Sequence, residues 1–406
     1  MKIEGKRAVL SYTLLFTFLY FTSYLTRINY AAVITEMVAV EGVQKSLASL
    51  ALTASAVTYG CGQLLSGFLG DRVEPKLLIF AGLLTTITMN LLLPFAPSPY
   101  VMAVIWGVNG VAQAFMWPPL VKIMSSLFCK EDYNRACVVV SFGSSLGTMA
   151  VYLLAPLCIA LGGWRFIFYA SAACALLMAV VWLWRCPRVQ APATEVSAAP
   201  QEKARLSFGI CALLGAVMLS IALQGVLRDG VTTWTPSYIT ETFHLDNKVA
   251  ILTMVVMPIF SILTIQLTSL IYRRLIHLEL LLAGVMFAVG FAAGLALYLT
   301  NGISPVLSVL FAAVLIGCMH GVNWVQTCMV PPTFARFGNI SFVSGLLNFS
   351  TYIGSAASAY GIAAFSERCG WNATLLLWSG VALLGALLCL SLVAVWGRFK
   401  KENPAA

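Results

Sequence analysis

The chain has 406 residues, 60% hydrophobic and only 10% charged, with a mean hydropathy of +0.90. A soluble globular chain carries about 25% charge, so these values exclude one and describe a polytopic membrane protein whose solvent is the lipid bilayer. The formal net charge of +9 then reads as a topology signal and gives no reason to invoke nucleic acid.

Twelve hydrophobic runs of spanning length are expected, centred near Phe18, Val57, Leu84, Gly110, Leu146, Ala175, Leu219, Ile259, Phe287, Ala313, Thr351 and Leu383. The first is too long for a cleavable leader and lacks a small-residue cleavage site. On these boundaries eighteen of the 24 lysines and arginines fall on one side of the membrane. Four (Lys45, Arg165, Lys248, Arg368) fall on the other, and Arg27 and Arg228 lie within spans. The positive-inside rule makes the richer side cytoplasmic and puts both termini there. The expected location is the plasma membrane, or the inner membrane in a Gram-negative source.

The first span follows the basic leader Met1–Arg7 and runs past Arg27. Tyr20, Tyr24 and Arg27 are spaced i, i+4, i+7 and share one face. A polar outer loop over 35–46 is expected next, placing Glu36 beyond the spanning part. The second span carries Tyr59, Gln63 and several glycines, and ends in GDRVEPK with Asp71 and Arg72. The fourth holds Asn109, Gln113 and Trp117, expected on one face, with Pro118 and Pro119 following it. The fifth has Gly143 and Gly147 among serines, which suits close helix packing. Residues 185–207 have no hydrophobic period and read as a cytoplasmic linker between bundles 1–184 and 208–406.

The second half echoes the first. Gln63-Leu-Leu-Ser66 matches Gln266-Leu-Thr-Ser269, Gly163-Trp164 matches Gly370-Trp371, Pro118-Pro119 matches Pro331-Pro332, and Arg27 matches Arg228. Four echoes in one order, with similar offsets, indicate a duplicated six-helix unit. Transporters of that plan place their site at the repeat interface. In the seventh span Trp234 and Tyr238 follow Arg228, suiting either a cavity lining or an interfacial aromatic belt. The tenth carries His320 with Asn323 nearby, and the eleventh carries Tyr352.

The two arginines decide the chemistry. A guanidinium stays charged in any protein setting, and one placed mid-bilayer costs at least about 2.5–3.5 kcal/mol. A structural ion pair would offset that cost. Asp229 is adjacent to Arg228, but i and i+1 do not face each other on a helix, so no local partner is expected. Two forks matched to a phosphate dianion are the expectation. Tyr20, Tyr24, Tyr59, Gln63, Gln113, Trp234, Tyr238, His320, Asn323 and Tyr352 are the further candidate ligands. The eleven cysteines are scattered without a C-x-x-C pair and read as inert thiols. No phosphate-loop glycine motif, metal-ligand cluster or catalytic triad pattern stands in the sequence. No catalytic residue, metal site or cofactor is therefore expected.

GFLGDRVEPK resembles the loop between the second and third helices of the major facilitator superfamily. Gly67, Asp71 and Arg72 fit, whereas Glu74 and Pro75 depart from the pattern. The resemblance implies a gating role for Asp71 and Arg72. Three motifs resemble the organophosphate:phosphate antiporter family more specifically: Tyr20-x-x-x-Tyr24-x-x-Arg27-x-Asn29, Asn109-Gly110-x-x-Gln113-x-x-x-Trp117-Pro118-Pro119-x-x-Lys122 and Arg228-x-Gly230-x-x-x-Trp234-x-Pro236-x-Tyr238. The resemblance covers essentially the whole chain. It implies an all-α major facilitator fold, twelve transmembrane helices in two pseudo-symmetric six-helix bundles. It also implies alternating-access exchange of inorganic phosphate for a phosphorylated metabolite such as glycerol-3-phosphate or a hexose phosphate, with Arg27 and Arg228 on the phosphoryl group. Two departures stand out: Gln63 replaces a lysine, and Phe142 lies near an expected histidine. Fewer basic groups open the way to phosphonates, less charged phosphoesters or carboxylate-bearing metabolites. The alternatives are an organic-anion symporter driven by protons or sodium, and a sugar-phosphate membrane sensor. Nothing in the sequence demands more than a monomer.

Overall fold

The computed structural model describes residues 3, 5–70, 73–188, 208–337 and 340–402. Asp71 and Arg72, the expected gating pair, lie outside the described residues, as does most of the expected linker. Among the described residues every element is helical. Two compact units divide the chain, Met1–Val196 and Ser197–Ala406.

In the first unit α1 (Lys6–Glu41) is 36 residues long. It ends where Gly42 turns left-handed, with φ 65°, and returns its N–H to the Val38 carbonyl. This corrects the outer loop expected over 35–46. Nothing between Thr35 and Glu41 breaks a helix, so α1 continues and only three residues separate it from α2 (Lys45–Gly70). Pro75 opens α3 (Pro75–Leu92) at a position whose N–H has no intrahelical partner anyway. The fourth span is two helices, α4 (Pro99–Ala114) and α5 (Trp117–Leu127). Pro118 and Pro119 therefore sit inside this span, at the start of α5, and not after it. Each lacks a ladder donor, so the helix restarts there. Asn109, Gln113 and Trp117 accordingly do not form one continuous helical face. Next come α6 (Lys130–Gly162) and α7 (Phe166–Arg185). Phe16, Ile79, Leu120, Ala175 and Trp182 pack one core of this unit.

The second unit runs α8 (Phe208–Phe243), α9 (Asn247–Thr253), α10 (Val256–Arg274), α11 (Glu279–Leu299), α12 (Pro305–Trp324), α13 (Ile340–Ser391) and α14 (Val393–Glu402). After α12 a π turn, Val325–Met329, leads into a 3-10 segment opened by Pro331. Leu214, Leu280, Leu347, Trp396 and Phe399 pack one core here. At its end, buried Glu279 accepts from Tyr272, Lys400 and Trp396 and ties α14 to α11.

Among the described residues ten segments are long and apolar enough to cross a membrane. One of them, Val343–Ser391, is two helices joined at Gly370, where φ is 75°. The more polar α2 completes twelve. The units repeat each other internally: α1 packs along α6 as α8 packs along α13, and α2 along α4 as α10 along α12. The Gly-Trp echo marks the same joint twice. Gly163 takes φ 74°, and Trp164 donates its indole N–H to Glu41 at 3.0 Å. In the second unit Trp371 follows Gly370 and donates to Glu241 at 2.9 Å.

Candidate substrate site

Each unit builds its own setting for one arginine. Arg27 lies past the middle of α1 and is half-buried. Its guanidinium carbon stands 4.8 Å from the Tyr24 ring centroid and 4.5 Å from that of Tyr59 on α2. An aromatic face attracts a cation without cancelling its charge, for about 0.5–2 kcal/mol per contact. Tyr20 extends the cluster, 5.2 Å from Tyr24 and 4.7 Å from Trp117, centroid to centroid. Gln63 is half-buried, one turn beyond Tyr59 on α2. Close packing of α6 fixes this wall: a Cβ at Gly147 would stand 2.6 Å from the Phe21 carbonyl oxygen and 2.9 Å from the Tyr24 Cβ.

Another face of α1 is a polar strut. Gln113 is fully buried; it accepts from Ser23 at 2.6 Å and donates to Thr26 at 2.9 Å and Thr86 at 3.4 Å. Asn29 donates to Asn90, which donates in turn to the Thr26 carbonyl. Amides inside a span must find protein partners, because hydrocarbon offers none. These bonds tie α1 to α3 and α4. Of the first unit's candidates the structure thus brings Tyr20, Tyr24, Arg27 and Tyr59 together and places Gln113 in the strut.

In the second unit Arg228 does have a local partner, which overturns the expectation that Asp229 cannot reach it. Arg228 Nε donates to Asp229 Oδ1 at 2.6 Å and Nη2 to Oδ2 at 2.8 Å. The i, i+1 rule concerns short side chains projecting radially. A guanidinium on three methylenes folds back along the surface and presents its edge to the neighbouring carboxylate. From α13, Ser355 donates to Oδ2 of the same carboxylate. His320 on α12 is half-buried and within electrostatic reach of both Arg228 and Asp229. Asn323, three residues along α12, donates to Gln224 at 3.4 Å. Gln224 lies one turn before Arg228, fully buried, with Nε2 unpartnered among the described residues. Tyr352 is half-buried on α13, three residues before Ser355.

Trp234 and Tyr238 are buried and hydrogen-bonded within their unit. Trp234 is fully buried and donates to the Ala359 carbonyl at 3.2 Å. The Tyr238 hydroxyl meets Asn301 at 2.7 Å and Ser308 at 3.1 Å. Gln224 and Ser355 were missed by sequence reasoning. Gln224 is i−4 from Arg228, the same spacing that singled out Tyr24 from Tyr20. Ser355 carried no such signal. No group of three or more potential metal ligands occurs among the described residues.

Twelve spanning helices in two internally repeated units, each with an arginine inside a span, define a secondary-transporter architecture. The chain belongs to the Major Facilitator Superfamily, whose family model matches residues 16–359. It is 25% identical over 378 residues to the glycerol-3-phosphate transporter of Bacillus subtilis, covering 86% of this chain and 84% of that protein. It is 22% identical over 179 residues to a probable hexose phosphate transport protein of Chlamydia muridarum, covering 44% of this chain and 39% of that protein. Among solved structures, a peptide transporter in complex with alafosfalin superposes with TM-score 0.77 at 15% identity, over 95% of each chain.

Proposed function

We propose that the protein exchanges a phosphorylated organic anion of the glycerol-3-phosphate or sugar-phosphate type for inorganic phosphate by alternating access. Arg27 and Arg228 are its phosphoryl ligands, and both termini are cytoplasmic at the plasma membrane. The observation that carries this reading is Arg27, a permanent cation inside a span held over two aromatic rings. Cation–π contacts position the guanidinium and leave its charge in place for an anion. The named relatives carry phosphorylated three-carbon and hexose compounds, which supports a phosphoester over other anions. Gln63, in place of a lysine, removes one charge from the first unit's wall, so a phosphoester of lower charge or a phosphonate is the alternative cargo. Half-buried Tyr20, Tyr24, Asn323 and Tyr352, and buried Tyr59, are proposed as hydrogen-bonding ligands.

Phosphate self-exchange tests this directly. Purified protein in liposomes loaded with unlabelled phosphate should take up radiolabelled phosphate, and Arg27→Ala and Arg228→Ala should both fail. Competition with unlabelled phosphoesters then ranks the cargo. Full exchange by either alanine variant would remove that arginine from the site.

A further inference from the structure

The Arg228–Asp229 pair raises a question that the exchange reading leaves open. Two carboxylate oxygens occupy the Nε–Nη2 edge of Arg228. A phosphoryl group binding bidentately needs such an edge. The carboxylate therefore competes with an anion that would use this edge. If Asp229 gives way while still ionised, it becomes a charge in a span without its cation, which is costly. If it gives way as the neutral acid, that cost disappears, and Ser355 still holds it through a hydrogen bond. The side chain is placed for this. Asp229 keeps 37% of its surface accessible against 14% for Arg228, and ionisable groups in spans face water-filled cavities.

We infer that Asp229 is a proton-binding residue that stands in for the anion when the site is empty and takes up one proton when Arg228 takes the anion. The inference rests on Arg228 being an anion ligand. In the step, a proton from water bonds to a carboxylate oxygen of Asp229. Its hydrogen bonds to Arg228 break, and anion oxygens replace them. When the anion leaves, the proton returns to water and the pair re-forms. Anion and proton then travel together, so exchange is unaffected by a proton gradient while net uptake is driven by one. The groups facing Asp229 include Arg228 on α8, His320 on α12 and Ser355 on α13. Of these, His320 is the other side chain able to take up a proton.

The test is phosphate affinity of the purified full-length protein between pH 6 and 8, for wild type, Asp229→Asn and His320→Gln. Phosphate titrates in this range, so the wild-type affinity is divided by that of Asp229→Asn at each pH. A linked proton makes this ratio rise about tenfold per unit of falling pH while Asp229 is ionised in the free protein. Asp229→Asn should also bind more tightly than wild type at pH 8, and His320→Gln should keep the wild-type slope. A ratio independent of pH overturns the inference, as does a slope lost in His320→Gln and kept in Asp229→Asn. Infrared difference spectra of wild type on phosphate addition need no variant. A new carboxylic-acid carbonyl band is expected, and its absence overturns the inference. Phosphate binding that Arg228→Ala leaves intact overturns the parent assignment of Arg228. Binding that fails in Arg228→Ala, with a flat ratio, overturns the proton step alone.

Discussion

The two arginines hold corresponding places in a repeated unit and have opposite surroundings. Arg27 is held by the faces of Tyr24 and Tyr59, which leave it a cation. Arg228 is clasped by Asp229, itself fixed by Ser355. A duplicated helix therefore does not mean a duplicated site. One unit sets its arginine among aromatic faces, and the other clasps its arginine with a carboxylate until something displaces it. Anion affinity and any coupling to protons can then be set in separate units, by separate residues.

Several changes would break or sharpen this contrast. The largest effect is expected from Gly354→Leu. A side chain there would run into the Ala222 carbonyl and force α8 and α13 apart, and little folded protein should elute on size-exclusion chromatography. Gly143→Leu, against the Thr17 carbonyl of α1, should match it; a well-folded protein in either case refutes the packing argument. Next are the alanine variants of the arginines. Losing a charge-assisted contact costs about 1.5–3 kcal/mol, so phosphate affinity should fall roughly ten- to a hundredfold. Arg27→Ala should lose more than Arg228→Ala at neutral pH, because Arg228 first has to give up Asp229. Equal losses would erase the asymmetry. Tyr59→Leu removes one ring from Arg27 and should weaken binding by about 0.5–2 kcal/mol, measured by the same titration. The smallest effects belong to the joints at Glu41 and Glu241. Glu41→Gln loses the Arg165 pair at 2.9 Å, whose side chains are 44% and 32% exposed. Thermal unfolding should move by no more than about 1 kcal/mol equivalent.

Much of this was legible in the sequence, for identifiable reasons. Spans announce themselves through length and apolar content, and the repeat through residues with special backbone needs: Gly163 and Gly370 adopt nearly the same positive φ. Tyr20, Tyr24 and Arg27 could be grouped because helical spacing fixes which side chains share a face. What spacing cannot fix is how a long side chain bends. The Arg228–Asp229 clasp was excluded on positional grounds and forms through side-chain flexibility. Gln113, Trp234 and Tyr238 illustrate the other limit. Their chemistry suits a ligand and a packing group equally well, and spacing could not foresee the partners that other helices and loops bring to them. Pro118-Pro119 was expected after the fourth span and instead lies inside it, at the restart of the helix in α5.

The seam between α8 and α13 has a kinetic meaning. Gly225 lies against the Thr351 backbone, and Gly354 against that of Ala222. Ser355 follows directly, so these main-chain contacts hold the two helices in register beside the Asp229 latch. Neither helix can withdraw without losing them. The latch therefore opens by torsion of the aspartate side chain, a picosecond-to-nanosecond event, not by the microsecond-to-millisecond motions of whole helices. Release of Arg228 should keep pace with every anion that arrives, leaving the slower reorientation of the protein to set the turnover rate.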